Sequence, residues 1–146
     1  MARFGAPAAV RLTMKRYCGH KEEGQAMVEF VLVATLLLLI LFGIIQYGIA
    51  FKNSIALTDA VRAGARKAAV SRTSSDPVGA TRQAVLTAAN DLNTDDVQVY
   101  VTPDPNPSWS AGSNVTVRAT YPYQIDILGI VVASGDLHSE TTERVE

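Results

Sequence analysis

The sequence has few residues that bind metal ions or form crosslinks, and it has almost no net charge. Its 146 residues include one cysteine, Cys18, and two histidines. One cysteine cannot form an internal disulfide, and with two histidines it cannot build a Cys/His zinc site. Thirteen basic and fourteen acidic residues give a net charge of −1, which excludes a basic nucleic-acid-binding protein. We therefore expect no metal, no cofactor and no nucleic-acid partner.

The short motifs of common enzymes are missing as well. The sequence contains no GxSxG, GxxxxGK[ST], HExxH or CxxC pattern, which are the patterns of serine hydrolases, nucleotide-binding loops, zinc proteases and redox or zinc sites. His138 alternates with polar neighbours, which is typical of an exposed strand residue rather than a catalytic base. We predict that the protein is not an enzyme.

Charged residues make up only 18% of the chain, and the apolar residues are concentrated in one run. Hydrophobic residues make up 48%, which excludes a disordered tail. Residues 30–51 are 22 residues without a formal charge, and about 20 such residues cross the core of a bilayer as a helix. A signal peptide has a shorter apolar region of roughly 7–15 residues. We predict one transmembrane helix over residues 25–51.

The charges on either side of this run predict its orientation. Residues 1–24 contain five basic and two acidic residues, whereas residues 52–146 contain eight basic and eleven acidic ones. Lys and Arg are retained on the cytoplasmic side of a membrane. The N-terminus is therefore expected inside and the C-terminal domain, residues 52–146, outside. Cys18 would then lie on the reducing side, consistent with a free thiol.

Helical spacing of apolar residues continues beyond the run to about Val70, so the membrane helix is expected to extend outside as one rod. Ala60, Gly64 and Ala68 repeat a small residue at every fourth position, which allows close approach of another backbone. Two interpretations of this helix-packing face stay open. It contacts another subunit, or it packs on the sheet of its own chain.

Beyond the rod, the sequence predicts a short helix and a small sheet. Asp76 and Pro77 are an N-cap and a first-turn proline, and they predict a helix to about Asp91. The apolar period then changes from 3.6 to 2, which predicts strands at Val97 to Val101, at Val115 to Tyr121 and, more weakly, over residues 136–145. Residues 121–134 are apolar without a clear period and are interpreted as a packed crossover segment. Trp109, in the proline-rich loop between the first two strands, either covers the edge of the sheet or contacts a partner.

The predicted fold class is therefore α+β and membrane-anchored. It consists of a long N-terminal transmembrane helix, one short helix and an antiparallel sheet of about three strands. The C-terminal domain is small, so we expect the segment of the long helix outside the membrane to cover its sheet.

Glu29 is the one charged residue near the start of the apolar run. A carboxylate at the centre of a membrane helix costs roughly 2.5–3.5 kcal/mol, and less near its end. Two interpretations follow from this position. Glu29 has a functional partner, or it lies at the interface and reaches cytoplasmic water.

The residues around Glu29 resemble the processing site of type IV pilin-like proteins. Gly24 is followed by four residues, then Glu29, the aromatic Phe30 and the apolar run. The resemblance implies that a membrane aspartyl peptidase cuts between Gly24 and Gln25 and removes the leader, residues 1–24. A glycine suits such a site because its backbone is unencumbered and easily extended. Phe30 stands where the family often has tyrosine, which keeps the aromatic ring and removes a hydroxyl.

A second stretch makes the resemblance more specific. The processing motif and apolar run are followed by DAVRAGARKAAV at residues 59–70, and this combination is similar to TadE-like proteins, minor pseudopilins of the tight-adherence (Tad/Flp) pilus system. The later stretch GSNVTVRATYPY, residues 112–123, is similar in a less specific way.

The resemblance implies a structural and assembly protein for a Tad/Flp-type pilus, with roles in adhesion and secretion. Its implied partners are the prepilin peptidase, other pseudopilins, the major pilin and the pilus platform proteins. The amino group of Gln25, on a neighbouring subunit, is the implied partner of Glu29. The implied location is the cytoplasmic (inner) membrane as a single-pass protein, or the cell exterior within a pilus. The alternative is an uncleaved, signal-anchored protein whose domain binds an extracytoplasmic ligand; a membrane-tethered enzyme is a third, disfavoured by the missing motifs.

Overall fold

Five elements follow one another in the part of the chain that the structure describes: α1 (His20–Ala69), α2 (Pro77–Ala88), β1 (Gln98–Asp104), β2 (Asn114–Ile127) and β3 (Ile130–Arg144). The structure, a computed structural model, describes residues 20–104, 109–127 and 129–146. The leader up to residue 19, with Cys18, lies outside these ranges, as do loop residues 105–108. Two helices and a three-stranded sheet confirm the predicted α+β class.

By its internal contacts the chain divides into two units, Met1–Leu38 and Leu39–Glu146. In the first unit the described residues belong to the N-terminal half of α1. The second unit contains the remainder of α1, α2 and the sheet. The predicted domain boundaries at residues 24 and 51 stay predictions.

Helix α1 is continuous for 50 residues, as the unbroken helical spacing predicted. Its most apolar stretch has a mean hydropathy of 2.9, and none of it is buried by the residues that the structure describes. A core helix of a soluble protein would be covered on its apolar side, because exposed leucines are costly in water. Helix α1 is therefore long and apolar enough to cross a membrane.

Helix α2 begins as the sequence predicted. The side chain of Asp76 accepts a hydrogen bond from the backbone N–H of Gly79 at 2.8 Å, and Pro77 occupies the first turn. The helix ends at Ala88, three residues earlier than expected from the apolar spacing. Asn90 and Asp91 favour turns over helix because their side chains compete for backbone hydrogen bonds.

The sheet is antiparallel in the order β1-β2-β3. Its register pairs Val99 with Ala119 and Val117 with Thr141. Alternate residues of β1 and β2 are buried and exposed, because successive side chains of a strand point to opposite faces. The predicted half-buried strands at Val97 to Val101 and from Val115 onward are confirmed.

The interpretation of residues 121–134 as a crossover segment is wrong. They continue β2 to Ile127 and begin β3 at Ile130, with pairs such as Ile125 with Ala133. Gly129, at a φ of 83°, and a bond from its N–H to the Asp126 carboxylate at 2.7 Å form the turn. Strand β2 keeps its alternation here, with Tyr121, Tyr123, Ile125 and Ile127 half-buried and the residues between them exposed. In β3 the apolar residues 130–133 are exposed on both faces, which explains why the segment as a whole shows no clear period.

The core of the C-terminal domain lies between one face of the sheet and the helices. Helix α1 contributes five buried residues, α2 contributes Val85, and the strands contribute mainly valines; the fully or nearly buried set is Leu57, Ala60, Val61, Ala65, Ala68, Val85, Ala89, Leu92, Val97, Val99, Val115, Val117, Ala119 and Val145. The second half of α1 is thus a structural component of this domain, as expected for so small a sheet.

The N-cap of α2 yields a first testable prediction. Asp76→Ala removes the acceptor for the Gly79 N–H and should lower the free energy of unfolding of the C-terminal domain by about 0.5–2 kcal/mol. The measurement is urea unfolding of the full chain in detergent, followed by near-ultraviolet circular dichroism. Asp76→Asn is the matched control and should stay within a few tenths of a kcal/mol of wild type, because asparagine caps equally well. Equal losses in both variants would show that the charge matters and not the cap.

Candidate processing site and helix-packing surface

The four predicted processing residues, Gly24, Gln25, Glu29 and Phe30, all lie near the N-terminus of α1. Each of them is exposed. Gln25 and Glu29 are four positions apart, so they lie on the same face of the helix. Phe30 follows Glu29 and is 72% exposed. The structure therefore presents the whole motif on the surface of a single helix.

Gly24 is helical in this structure, whereas a peptidase requires an extended segment. Helix α1 begins at His20, so the bond between Gly24 and Gln25 lies in its second turn. Nothing lies within 4 Å of the position that a Cβ at residue 24 would occupy. Cleavage at this predicted site would require local unwinding of the start of α1, and glycine favours unwinding because it is about 1 kcal/mol less stable than alanine in a helix.

Ala60, Gly64 and Ala68 lie against the chain's own core. Ala60 and Ala68 are fully buried, and Gly64 faces α2. A Cβ at position 64 would overlap Cγ2 of Val85 and would lie 3.6 Å from the carbonyl oxygen of Thr81. The small residues therefore let α2 approach the backbone of α1, which corresponds to the intramolecular interpretation of this face.

Because of this packing, one side of α1 after Lys52 is buried and the opposite side is exposed. The face of Ala60, Gly64 and Ala68 is covered by α2 and the sheet, so another subunit does not reach it without displacing them. The opposite side carries Asp59 and Arg62, whose side chains form an exposed ion pair at 3.6 Å. Such exposed pairs contribute little to stability. This polar side is the one that remains available for contacts with other molecules.

Trp109 covers the C-terminal end of α1. Its indole N–H donates a hydrogen bond to the carbonyl oxygen of Ala68 at 3.0 Å, and its ring packs against the core. The backbone N–H of Glu146 donates to the next carbonyl, that of Ala69, also at 3.0 Å. Carbonyls in the last turn of a helix lack helical donors, so the loop and the end of the sheet supply them. The sequence left open whether Trp109 covers the edge of the sheet or contacts a partner; it did not predict this position at the end of α1.

The remaining surface offers little that resembles a reaction centre. In the described ranges, no three or more His, Cys, Asp and Glu side chains are grouped to hold a metal ion. A shallow depression of about 680 Å³ lies on the polar face of the sheet and is lined by residues such as Tyr100, Arg118 and Glu140. His138 is exposed on β3. The absence of an enzyme activity stays a prediction.

The structure defines an α+β protein, and among its described residues a single helix, α1, is long and apolar enough to cross a membrane. Residues 24–66 match the family model of TadE-like proteins, so this segment of the chain is similar to that family. The match contains both the GQAMVEF motif and the AVRAGAR stretch, and it confirms the resemblance drawn from them. It ends within α1, so the similarity of residues 112–123 stays a prediction. No curated protein and no solved structure matches the chain significantly.

The contact between Gly64 and Val85 yields a second testable prediction. Gly64→Leu should lower the free energy of unfolding of the C-terminal domain by at least about 1–3 kcal/mol, the usual cost of overpacking a core. Val85 is fully buried and β-branched, so it has no alternative rotamer with which to make room. The measurement is urea unfolding of the full chain in detergent.

Ala63→Leu is the matched control for this experiment. Ala63 precedes Gly64 in α1 but is exposed, so its substitution should change stability by less than about 0.5 kcal/mol. If Gly64→Leu instead kept wild-type stability and reduced co-purification with other pseudopilins, the face would be a contact between subunits.

Proposed function

We propose that this protein is a minor pseudopilin of a Tad/Flp-type pilus. A prepilin peptidase cuts it between Gly24 and Gln25, and the mature chain is needed to assemble the pilus. The observation that carries the proposal is the TadE-like match, which begins at Gly24 itself and continues through the apolar helix to residue 66. The exposed motif at the start of α1 supports it, because a membrane peptidase has access to every one of its residues.

The proposed location is the cytoplasmic (inner) membrane. Helix α1 crosses it once, with the basic leader inside and the C-terminal domain outside, and the mature protein enters the pilus or assists its assembly. Its proposed partners are the prepilin peptidase, other pseudopilins, the major pilin and the platform proteins. The apolar surface of α1 supports this, because it is not covered by the chain itself and is free to contact lipid or other transmembrane helices.

Glu29 has a defined role in this proposal. It is the fifth residue of the mature chain, and its carboxylate pairs with the amino group of Gln25 on a neighbouring subunit. In the single chain Glu29 is exposed on an apolar helix, where a lone charge is costly in lipid. Assembly that brings an amine to it offsets that cost.

The cleavage step yields a third testable prediction. Gly24→Leu should leave the leader attached, because a bulky side chain at the cut site blocks the peptidase. The measurement is the mass of the N-terminus of the protein from cells with an active prepilin peptidase. Gly43→Leu is the matched control; Gly43 also lies in α1 with open space around it, and this variant should be processed normally. Native protein that retains residues 1–24 would contradict the proposal.

Glu29 yields a fourth testable prediction. Glu29→Ala and Glu29→Gln should both be inserted and processed, yet both should reduce piliation and recovery of partner pseudopilins at wild-type protein levels. Breaking a buried ion pair costs about 3–5 kcal/mol, whereas an exposed pair is worth about 0–1 kcal/mol. The size of the loss in piliation therefore shows whether the ion pair of Glu29 is buried in the membrane or exposed to water.

Thr35→Ala is the matched control for Glu29. The hydroxyl of Thr35 bonds to the carbonyl of Val31 in its own helix at 2.8 Å, so its removal leaves no charged partner behind. This variant should assemble normally. Normal pili with both Glu29 variants would reduce Glu29 to an interfacial residue.

The alternative function is that of an uncleaved, signal-anchored protein that binds a ligand outside the cell. The depression around Tyr100 and Arg118 favours it, since an aromatic ring and a guanidinium group are common in binding surfaces. The mass of the native N-terminus separates the two functions, because only the pseudopilin loses residues 1–24.

A further inference from the structure

The hairpin of β2 and β3 extends well beyond the third strand of the sheet. Strand β1 pairs with β2 only as far as Thr120, whereas β2 and β3 continue to pair up to Ile127 and Ile130. Residues 121–137 therefore form a two-stranded ribbon, here called the β2–β3 ribbon. An isolated two-stranded ribbon is marginally stable in water, so the stability of this ribbon depends on what it contacts.

The far end of this ribbon is apolar and exposes apolar side chains on both faces. Ile130 is 69% exposed, Val131 is 54% exposed and Val132 is 63% exposed. Ile130 and Val131 are successive strand residues and point to opposite faces, so neither face of the tip is fully covered, although Ile127, opposite Ile130, is half-buried. No charged residue lies between Asp126 and Asp136. A tip of this kind requires an apolar medium or partner.

The direction of the ribbon relative to the second half of α1 follows from two contacts. At the C-terminal end of α1, the N–H of Glu146 bonds to the carbonyl of Ala69. Towards the apolar run, the ribbon residues Tyr123, Ile125, Asp136 and Leu137 share a depression with Tyr47, Ala50, Phe51 and Ser54 of α1. Strand β3 therefore runs parallel to α1, and its start lies on the side of the apolar run.

The tip reaches further in the same direction. The ribbon continues for two paired residues beyond Ile125, to Ile127 and its partner Ile130, which is about 7 Å at strand spacing. Ile125 is already beside Tyr47, which lies within the uncharged run of residues 30–51. The apolar tip and the apolar segment of α1 after Leu38 are thus on the same side of the C-terminal domain.

We propose that the tip of the β2–β3 ribbon inserts into the interfacial layer of the bilayer that α1 crosses. This inference depends on the membrane span in the proposed function. Ile130, Val131 and Val132 would contact the outer ends of the acyl chains, and the domain would be held to the membrane at two points. Lipid is the favoured occupant because Ile130, Val131 and Val132 are exposed and apolar and lie on the side of the domain where α1 enters the bilayer.

Two features limit how deep the tip can insert. The outer edges of a two-stranded ribbon carry unpaired backbone groups, which are costly in hydrocarbon. Asp126 lies next to the turn and accepts the N–H of Gly129, which satisfies that donor but leaves a charge close to the tip. Tyr47, Phe51 and Tyr123 lie around the base of the ribbon, and aromatic residues are enriched where a membrane meets water. These features place the tip in the interface and not in the hydrocarbon core.

The experiment uses the full chain in lipid vesicles, with Cys18→Ser as background and one environment-sensitive fluorophore attached through an introduced cysteine. Position 131 reports on the tip, position 45 on the apolar run of α1, and position 74 on the turn after α1. All three positions are exposed. Quenching is measured with spin-labelled acyl chains in the bilayer and with iodide in water.

The fraction of emission quenched by acyl chains at position 131 should be well above that at position 74 and below that at position 45, because the tip lies in the interface and position 45 lies deeper. Iodide should give the opposite order. Val132→Glu should shift the probe at position 131 towards the values at position 74, since a charge opposes insertion. Unchanged near-ultraviolet circular dichroism checks the fold of this variant, which alters an exposed residue.

Three results would overturn the inference, and they have different meanings. If the probe at position 131 is quenched to the same extent as that at position 74 while the probe at position 45 is quenched by acyl chains, the tip is in water. The membrane span is then still supported. If position 45 also behaves like position 74, the span itself is wrong and the proposed function fails with it. If position 131 is protected from both quenchers, and more strongly at high protein-to-lipid ratios, a second copy of the chain covers the tip instead of lipid.

Discussion

The close approach of α1 and α2 at Gly64 is the contact on which the C-terminal domain depends. Only a residue without a side chain allows Val85 to pack directly on the backbone of α1. Around this point Ala60 and Ala68 on one helix and the buried valines of β2 complete the core. The sheet has three strands and one buried face, so it has no other layer to pack on. The second half of α1 supplies that layer.

This dependence gives α1 two environments and two kinds of surface. Up to about Phe51 its apolar side chains are exposed, which suits lipid or neighbouring transmembrane helices. From Leu57 onward one face is buried in the chain's own core and the other is charged. The change occurs without a break in the helix, because helical hydrogen bonds do not depend on what the side chains contact. At the end of the helix, the carbonyl oxygens of Ala68 and Ala69 accept hydrogen bonds from the indole of Trp109 and the backbone N–H of Glu146.

Much of this arrangement was predictable from local patterns. The uncharged run predicts α1, the cap at Asp76 predicts the start of α2, and the alternating valines predict strands. Each of these signals comes from residues that are close together in the sequence. Two features were not predictable in that way. The small-residue face of α1 fits a contact within or between chains equally well until Val85 is placed opposite Gly64. The start of β3 in the β2–β3 ribbon shows no period of two because its apolar residues 130–133 are exposed on both faces, and alternation marks strands only where one face is buried.

The position of Trp109 also allows its intrinsic fluorescence to report on the folded domain. It is the one tryptophan of the chain, and it lies where the proline-rich loop meets the end of α1. Selective excitation of its indole therefore produces emission from the folded domain without a contribution from the tyrosine and phenylalanines of the apolar run. Loss of the bond to Ala68 exposes the ring to water and shifts that emission to longer wavelength. Detachment of the loop is thus visible by fluorescence in a membrane preparation, without a label.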